Sequence, residues 1–370
     1  MLGERKRLDY IDWAKTVSIL LIVVGHFLPG MAAPKVWMYS FHVPIFAILG
    51  GILLSPPKTW KDYFKRNLGL LKRLVVPYVI AFVLSCAVYW IFNADNMPLY
   101  AVKEATRDIQ TLLKYFVFLE RKTVWNQALW FLPCYAVCSF VMLLFLKLTK
   151  GKRIFSLILS ALSFITLLEL ERRAITINLF GVKDAFGMKN YFLMLGFLSL
   201  GYAMRPFFDR CLEMVENPRK NPLLYGAAAT FMMLSFVCLK CNENPKNYTG
   251  YNHISLYSGY YNDLTLFVIF AILLSVTLIM ALMLLPRVSF ANLVSRNSLF
   301  IMMTHMTFLL DNTFYELKPG KLMWETDLSI SIRDGVFVFL VIAGFLWALD
   351  KLILQRFPRV RKAFVFIGIQ

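Results

Sequence analysis

Apolar residues along this chain gather into long runs broken by short, basic connectors. A helix needs about 20 residues, rising 1.5 Å each, to cross the hydrocarbon core of a bilayer. Ten segments answer to that need: 13–33, 37–55, 74–92, 127–147, 154–170, 190–206, 223–240, 263–285, 298–314 and 333–353. The fifth, sixth and ninth are short. The pattern predicts an all-α, polytopic membrane helix bundle with about ten transmembrane helices, and an even number returns both termini to one side. No internal repeat and no low-complexity tract divides the chain, so residues 1–370 are expected to form a single integral-membrane domain.

Two connectors carry a helical period of their own. Trp60, Phe64, Leu68 and Leu71 share one face, while Lys58, Lys61, Lys65 and Lys72 take the others. This predicts a basic helix at the inner membrane surface, either anchored to anionic lipid or facing the phosphates of a ligand. Leu99, Val102, Ile109, Leu112 and Phe116 form a similar stripe, read as a lid or interfacial helix before the fourth span. The stretch from Asn242 to Asp263 is rich in Asn, Ser, Gly and Tyr. It is either a carbohydrate-facing surface, with rings stacking on sugar C–H faces, or an ordinary interfacial loop with a tyrosine belt.

Composition narrows the class. Of the 370 residues, 59% are hydrophobic and only 17% charged, which excludes a water-soluble chain. There are 40 Lys and Arg against 22 Asp and Glu, a net +18 that in a soluble protein would point to nucleic acid. Here it follows the positive-inside rule and implies no nucleic-acid partner. With the N-terminus inside, 25 of the 40 cations fall in inner segments, which sets an N-in, C-in topology. The first apolar run has no A-x-A-like cleavage site and reads as a retained signal anchor. Six cysteines are scattered through apolar stretches and behave as small hydrophobes; Cys238 and Cys241 form a C-x-x-C without a partner pair.

Against this background two of only four histidines, His26 and His42, sit on the first two spans, joined by the turn PGMAAPK. An ionisable side chain within a span marks a functional site by default. Both imidazoles lie at similar depth, roughly 6 Å below the outer surface for His26, and can share a cavity open to the outside. Pro29 and Pro44 flank them and loosen the backbone there. At the inner end of the first span, Asp12 and Lys15 are either a local ion pair or part of a phosphate site. Lys15 stands about 16 Å along the helix from His26. A carrier with charged phosphates at one end and a thioester on a thin arm, as in coenzyme A, has that shape. No zinc-ligand spacing occurs, His253 stands alone, and no phosphate-cradling glycine motif is present, so no metal is expected.

The segments RLDYIDWAKTVSILLIVVGH, FHVPIFAILGGILL, KRLVVPY, ALWFLP, FLSLGY and SRNSLFIMMTH, in that order from about residue 5 to 310, resemble the successive motifs of the membrane-bound acyltransferase-3 family. Within it they are most similar to the fucose 4-O-acetylase-like branch. The resemblance implies transfer of an acyl group, commonly acetyl from acetyl-CoA, to a glycan hydroxyl at the surface of a bacterial inner membrane. Carried over residue by residue, it puts the catalytic histidine at His26, the FHxP histidine at His42 and a late histidine at His305. Donor phosphates then fall to Lys15, where the family has arginine, and to Lys72 and Arg73, where its R-x-x-R is half present because Leu70 takes the first position. Trp130, His305 and Asn312 are expected on the side of the sugar acceptor, with Asp311 beside them. His26 suits a general base, with a covalent acetyl-histidine as the variant; His42 either donates to the oxyanion, orients His26 or caps backbone. The alternatives are a translocator of glycans or lipid-linked sugars, and an acyltransferase acting on lipid. No oligomeric state is implied.

Overall fold

The computed structural model describes residues 9–28, 33–93, 126–175, 188–213, 221–241, 256, 261, 263–306, 328–357, 364 and 367–369. Among them every long element is a helix. An opening hairpin of α1 (Asp9–Phe27) and α2 (Ala33–Leu53) is followed by α3 (Trp60–Leu70), which passes through a π-helical turn (Leu71–Val75) into α4 (Val76–Asn93). A 3-10 turn (Gln127–Trp130) leads into α5 (Phe131–Leu148). Next come α6 (Arg153–Arg172), α7 (Met188–Glu213), α8 (Pro222–Cys241) and α9 (Leu264–Leu282). Two short helices, α10 (Ser289–Arg296) and α11 (Ser298–Thr304), precede α12 (Leu328–Leu349), which ends in a second π turn (Asp350–Leu354). The stripe from Leu99 to Phe116, His253, Asp311, Asn312 and nearly all of the Asn- and Tyr-rich stretch lie outside the described residues.

Nine segments among the described residues are long and apolar enough to cross a membrane. The protein is therefore a multi-pass, all-helical membrane bundle. The expected span 298–314 starts as α11 but is described only to Met306. Several boundaries differ from the sequence reading by a turn or more, two of them with a local consequence. Helix α1 begins at Asp9, not at residue 13, because Asp9 and Asp12 in its first turn complement the positive end of the helix dipole. Helix α7 does not stop near residue 206 but runs through Pro206 to Glu213, its added turns burying Phe208 and Cys211 while Arg210 faces outward.

Helix α3 is the expected basic surface helix, and its start is fixed chemically. Thr59 accepts from the Asp62 N–H at 3.1 Å while Asp62 accepts from the Lys58 N–H at 3.0 Å, a reciprocal cap. Trp60 and Phe64 stay 50% and 66% exposed, as befits side chains meant for the membrane interface.

The hairpin lies at the centre. Helix α1 packs on α2, α9, α10, α11 and α12, and α2 packs on α7, α8 and α9. Lipid tails are as apolar as leucine, so close backbone packing replaces the hydrophobic drive between such helices. The α2–α7 crossing achieves it through Gly51 and Gly201. A Cβ at Gly51 would stand 2.0 Å from the Leu198 carbonyl oxygen, and one at Gly201 2.0 Å from that of Ile48. This crossing fixes one wall of the cavity described next.

Candidate functional site

Asp12, Lys15, Ile19, Ile22 and His26 recur every three or four residues, so they share one face of α1, and all of them border a cavity of about 1300 Å³. Helix α2 turns Lys35, Tyr39, His42, Phe46 and Gly50 to the same space by the same spacing. Trp130, Phe131 and Tyr135 close a third side.

The cavity has two chemically different ends. At one, Lys15, Arg73, Arg205 and Arg296 gather with Asp12 and Asp209. Arg205 is held by its Asp209 ion pair at 3.5 Å and by the Leu54 carbonyl at 3.4 Å. Of the two adjacent cations in the π turn, both exposed, only Arg73 borders the cavity; Lys72, the neighbouring position around the helix, does not. The middle is apolar, walled by Ile19, Ile22, Val43, Phe46, Leu132 and Met302.

At the other end, about 16 Å along α1, three imidazoles and a tyrosine meet. His26 and His305 have ring centroids 5.1 Å apart, Tyr39 lies 6.0 Å from His26, and His42 lies 4.7 Å from Tyr39. His42 and His305 are each tied to their own helix, Nδ1–H donating to the Met38 carbonyl and, at 3.1 Å, to the Ile301 carbonyl. Their Nε2 atoms are therefore lone-pair acceptors. His26 makes no such bond among the described residues and borders the cavity with its ring half-buried.

His305, from its place in its span either a site residue or a structural histidine, stands between the two readings. It is fully buried behind His26, off the cavity wall, and its Nε2 has no hydrogen-bond partner. Trp130 does border the cavity, carried by the 3-10 turn. That turn is pinned by Asn126, whose amide donates to Ser85 Oγ at 3.0 Å and to the Met303 carbonyl at 2.9 Å. One side chain thus ties α4 and α11 to the Trp130 wall. Asn312 lies outside the described residues.

Residues 8–350 match the family model of the acyltransferase domain, nearly the whole chain. The chain belongs to the acyltransferase-3 family. No curated protein and no solved structure matches it. The protein is thus a membrane acyltransferase. Among its described residues no group of three or more His, Cys, Asp or Glu side chains converges as a metal ion would require.

Several cavity residues of this acyltransferase escaped the sequence reading. Arg205 lies at the end of the expected span 190–206, where the sequence reading counted it only among the inner cations. Arg296 lies within the quoted segment SRNSLFIMMTH, where nothing in the sequence singled it out. Tyr39 and Lys35 were readable in retrospect, since they lie three and seven residues before His42 and share its helix face. Cys238 is buried with its sulfur 3.7 Å from Ser40 Oγ, a packing position.

Proposed function

We propose that this acyltransferase moves an acetyl group from cytoplasmic acetyl-CoA to a hydroxyl of a cell-surface or exported glycan, with His26 as general base, in the inner membrane of a bacterium. The observation that carries the reading is a single cavity joining a cluster of cations to a cluster of imidazoles over the length of a thin acyl-carrier arm. Lys15, Arg73, Arg205 and Arg296 suit the donor phosphates, three of them as planar guanidinium forks. The apolar middle suits an uncharged arm and excludes water from the thioester. Trp130 offers an aromatic face to the acceptor sugar.

His26 takes the hydroxyl proton as the acceptor oxygen attacks the thioester carbonyl. The carbon–sulfur bond then breaks, and the imidazolium returns the proton to the departing thiolate, so that an ester and a thiol are formed and His26 is restored. Among the three histidines only His26 has both ring nitrogens uncommitted to backbone, which favours it for this work. His305 acts as a positioning residue: its Nε2 lone pair accepts a His26 N–H after a small ring rotation and leaves the other His26 nitrogen as the base. His42 faces the cavity with its Nε2 lone pair and suits a hydrogen bond to the acceptor hydroxyl.

The test is transfer of label from acetyl-labelled coenzyme A to the host's surface polysaccharide fraction by the purified protein in membranes. Alkali-labile label on glycan supports the reading. Coenzyme A release without labelled glycan, or label on lipid alone, overturns the acceptor assignment.

A further inference from the structure

Of the cations on the cavity wall, one has no part in the mechanism. Lys35, in the first turn of α2, borders the cavity at the imidazole end, half-buried, far from the cations at the other end. Its ammonium donates to the Leu28 carbonyl at 2.8 Å and lies 5.5 Å from the centre of the Tyr39 ring. Among the described residues it forms no ion pair. Capping the last turn of α1 accounts for one of its three N–H groups. Two remain without a partner among the described residues, next to the ring that also touches His26 and His42.

An ammonium removed from water gains most from a matching anion within hydrogen-bond reach. Two free N–H groups and a single positive charge fit one carboxylate; a phosphate dianion calls for the several cations found at the cavity's opposite end. We propose that Lys35 forms a carboxylate subsite beside the reacting atoms, so that the protein selects a substrate carrying one negative charge close to the acylated hydroxyl. The proposal rests on the acyl-transfer reading for the word substrate, but binding at Lys35 does not depend on it. The carboxylate belongs either to an acidic sugar acceptor or to a dicarboxylic acyl group on the donor.

Two isosteric pairs separate these sources: methyl glucoside against methyl glucuronide, and butyryl-CoA against succinyl-CoA. Binding of each to the detergent-purified full chain is read by ligand-observed NMR, and acyl transfer is read in the same samples. The wild type is expected to prefer the charged member of one pair by roughly ten- to a hundredfold, the yield of one charge-assisted hydrogen bond. Lys35→Gln should abolish that preference and Lys35→Arg should keep it. Preference within the sugar pair assigns the carboxylate to the acceptor, and preference within the thioester pair assigns it to the acyl group. Equal binding within both pairs, or a preference that survives in Lys35→Gln, overturns the subsite. If Lys35 serves only as a cap, Lys35→Gln weakens both members alike and lowers the melting temperature. Charge-selective binding without acyl transfer would sink the reaction reading and keep the subsite; transfer without charge selection would do the reverse.

Discussion

His26 and His305 stand with ring centroids 5.1 Å apart, one on the cavity wall and the other sealed behind it. His305 Nδ1 is committed to Ile301, so the nitrogen left over is an acceptor with no donor in place. A buried acceptor without a partner costs about 1–3 kcal/mol. In the proposed mechanism an N–H from His26 would remove that cost and fix which nitrogen of His26 carries the lone pair toward the cavity.

This arrangement separates two substitutions. Gln at position 305 sets an amide oxygen near the place of Nε2 and should retain much of the turnover, whereas Phe keeps the volume and removes the acceptor. His305→Phe should lower kcat roughly tenfold or more with KM for acetyl-CoA unchanged. Steady-state kinetics decide; equal losses in both variants would make His305 a packing residue.

A second expectation concerns pH. His26 works only when neutral, so kcat should fall as the pH drops and the base becomes protonated, and should level off on the alkaline side. The acid limb is measured on initial rates across the stability range of the protein. Loss of that limb in His26→Gln, within its residual activity, assigns the limb to His26.

At the basic end, Arg205→Ala and Arg296→Ala should each raise KM for acetyl-CoA by roughly ten- to a hundredfold with a smaller effect on kcat. Lys72→Ala, at a position that does not border the cavity, should leave KM where it is. Direct titration with coenzyme A checks both statements.

The α2–α7 crossing gives a stability test. Val at Gly201 would drive its Cβ against the Ile48 carbonyl, a backbone atom that cannot rotate aside. Such overpacking costs about 1–3 kcal/mol or more, and a lower melting temperature in detergent should report it. Ala at Gly226, where a new Cβ meets nothing within 4 Å, is the control.

The sequence made legible what depends on local pattern. Apolar runs announced most of the spans, the alternation of Trp60, Phe64 and Leu68 with lysines announced α3, and helical spacing linked Lys15 to His26 along one face. What escaped depends on packing between distant segments or on a backbone irregularity. Nothing local brings His305 behind His26; that contact exists because α11 folds back onto α1. Nothing local tells Lys72 from Arg73, because which of two adjacent cations borders the cavity depends on how their helix packs against α5. Arg205 read as one of many inner cations, and only the packing of α7 against α2 brings it to the cavity.

The measurement that bears most directly on the account is single-turnover acetyl transfer by His26→Ala beside wild type, with acetyl-CoA binding measured on the same preparations. The account predicts unchanged donor affinity and a rate lower on the order of 10²–10⁴-fold. Full activity in a folded His26→Ala protein would contradict it.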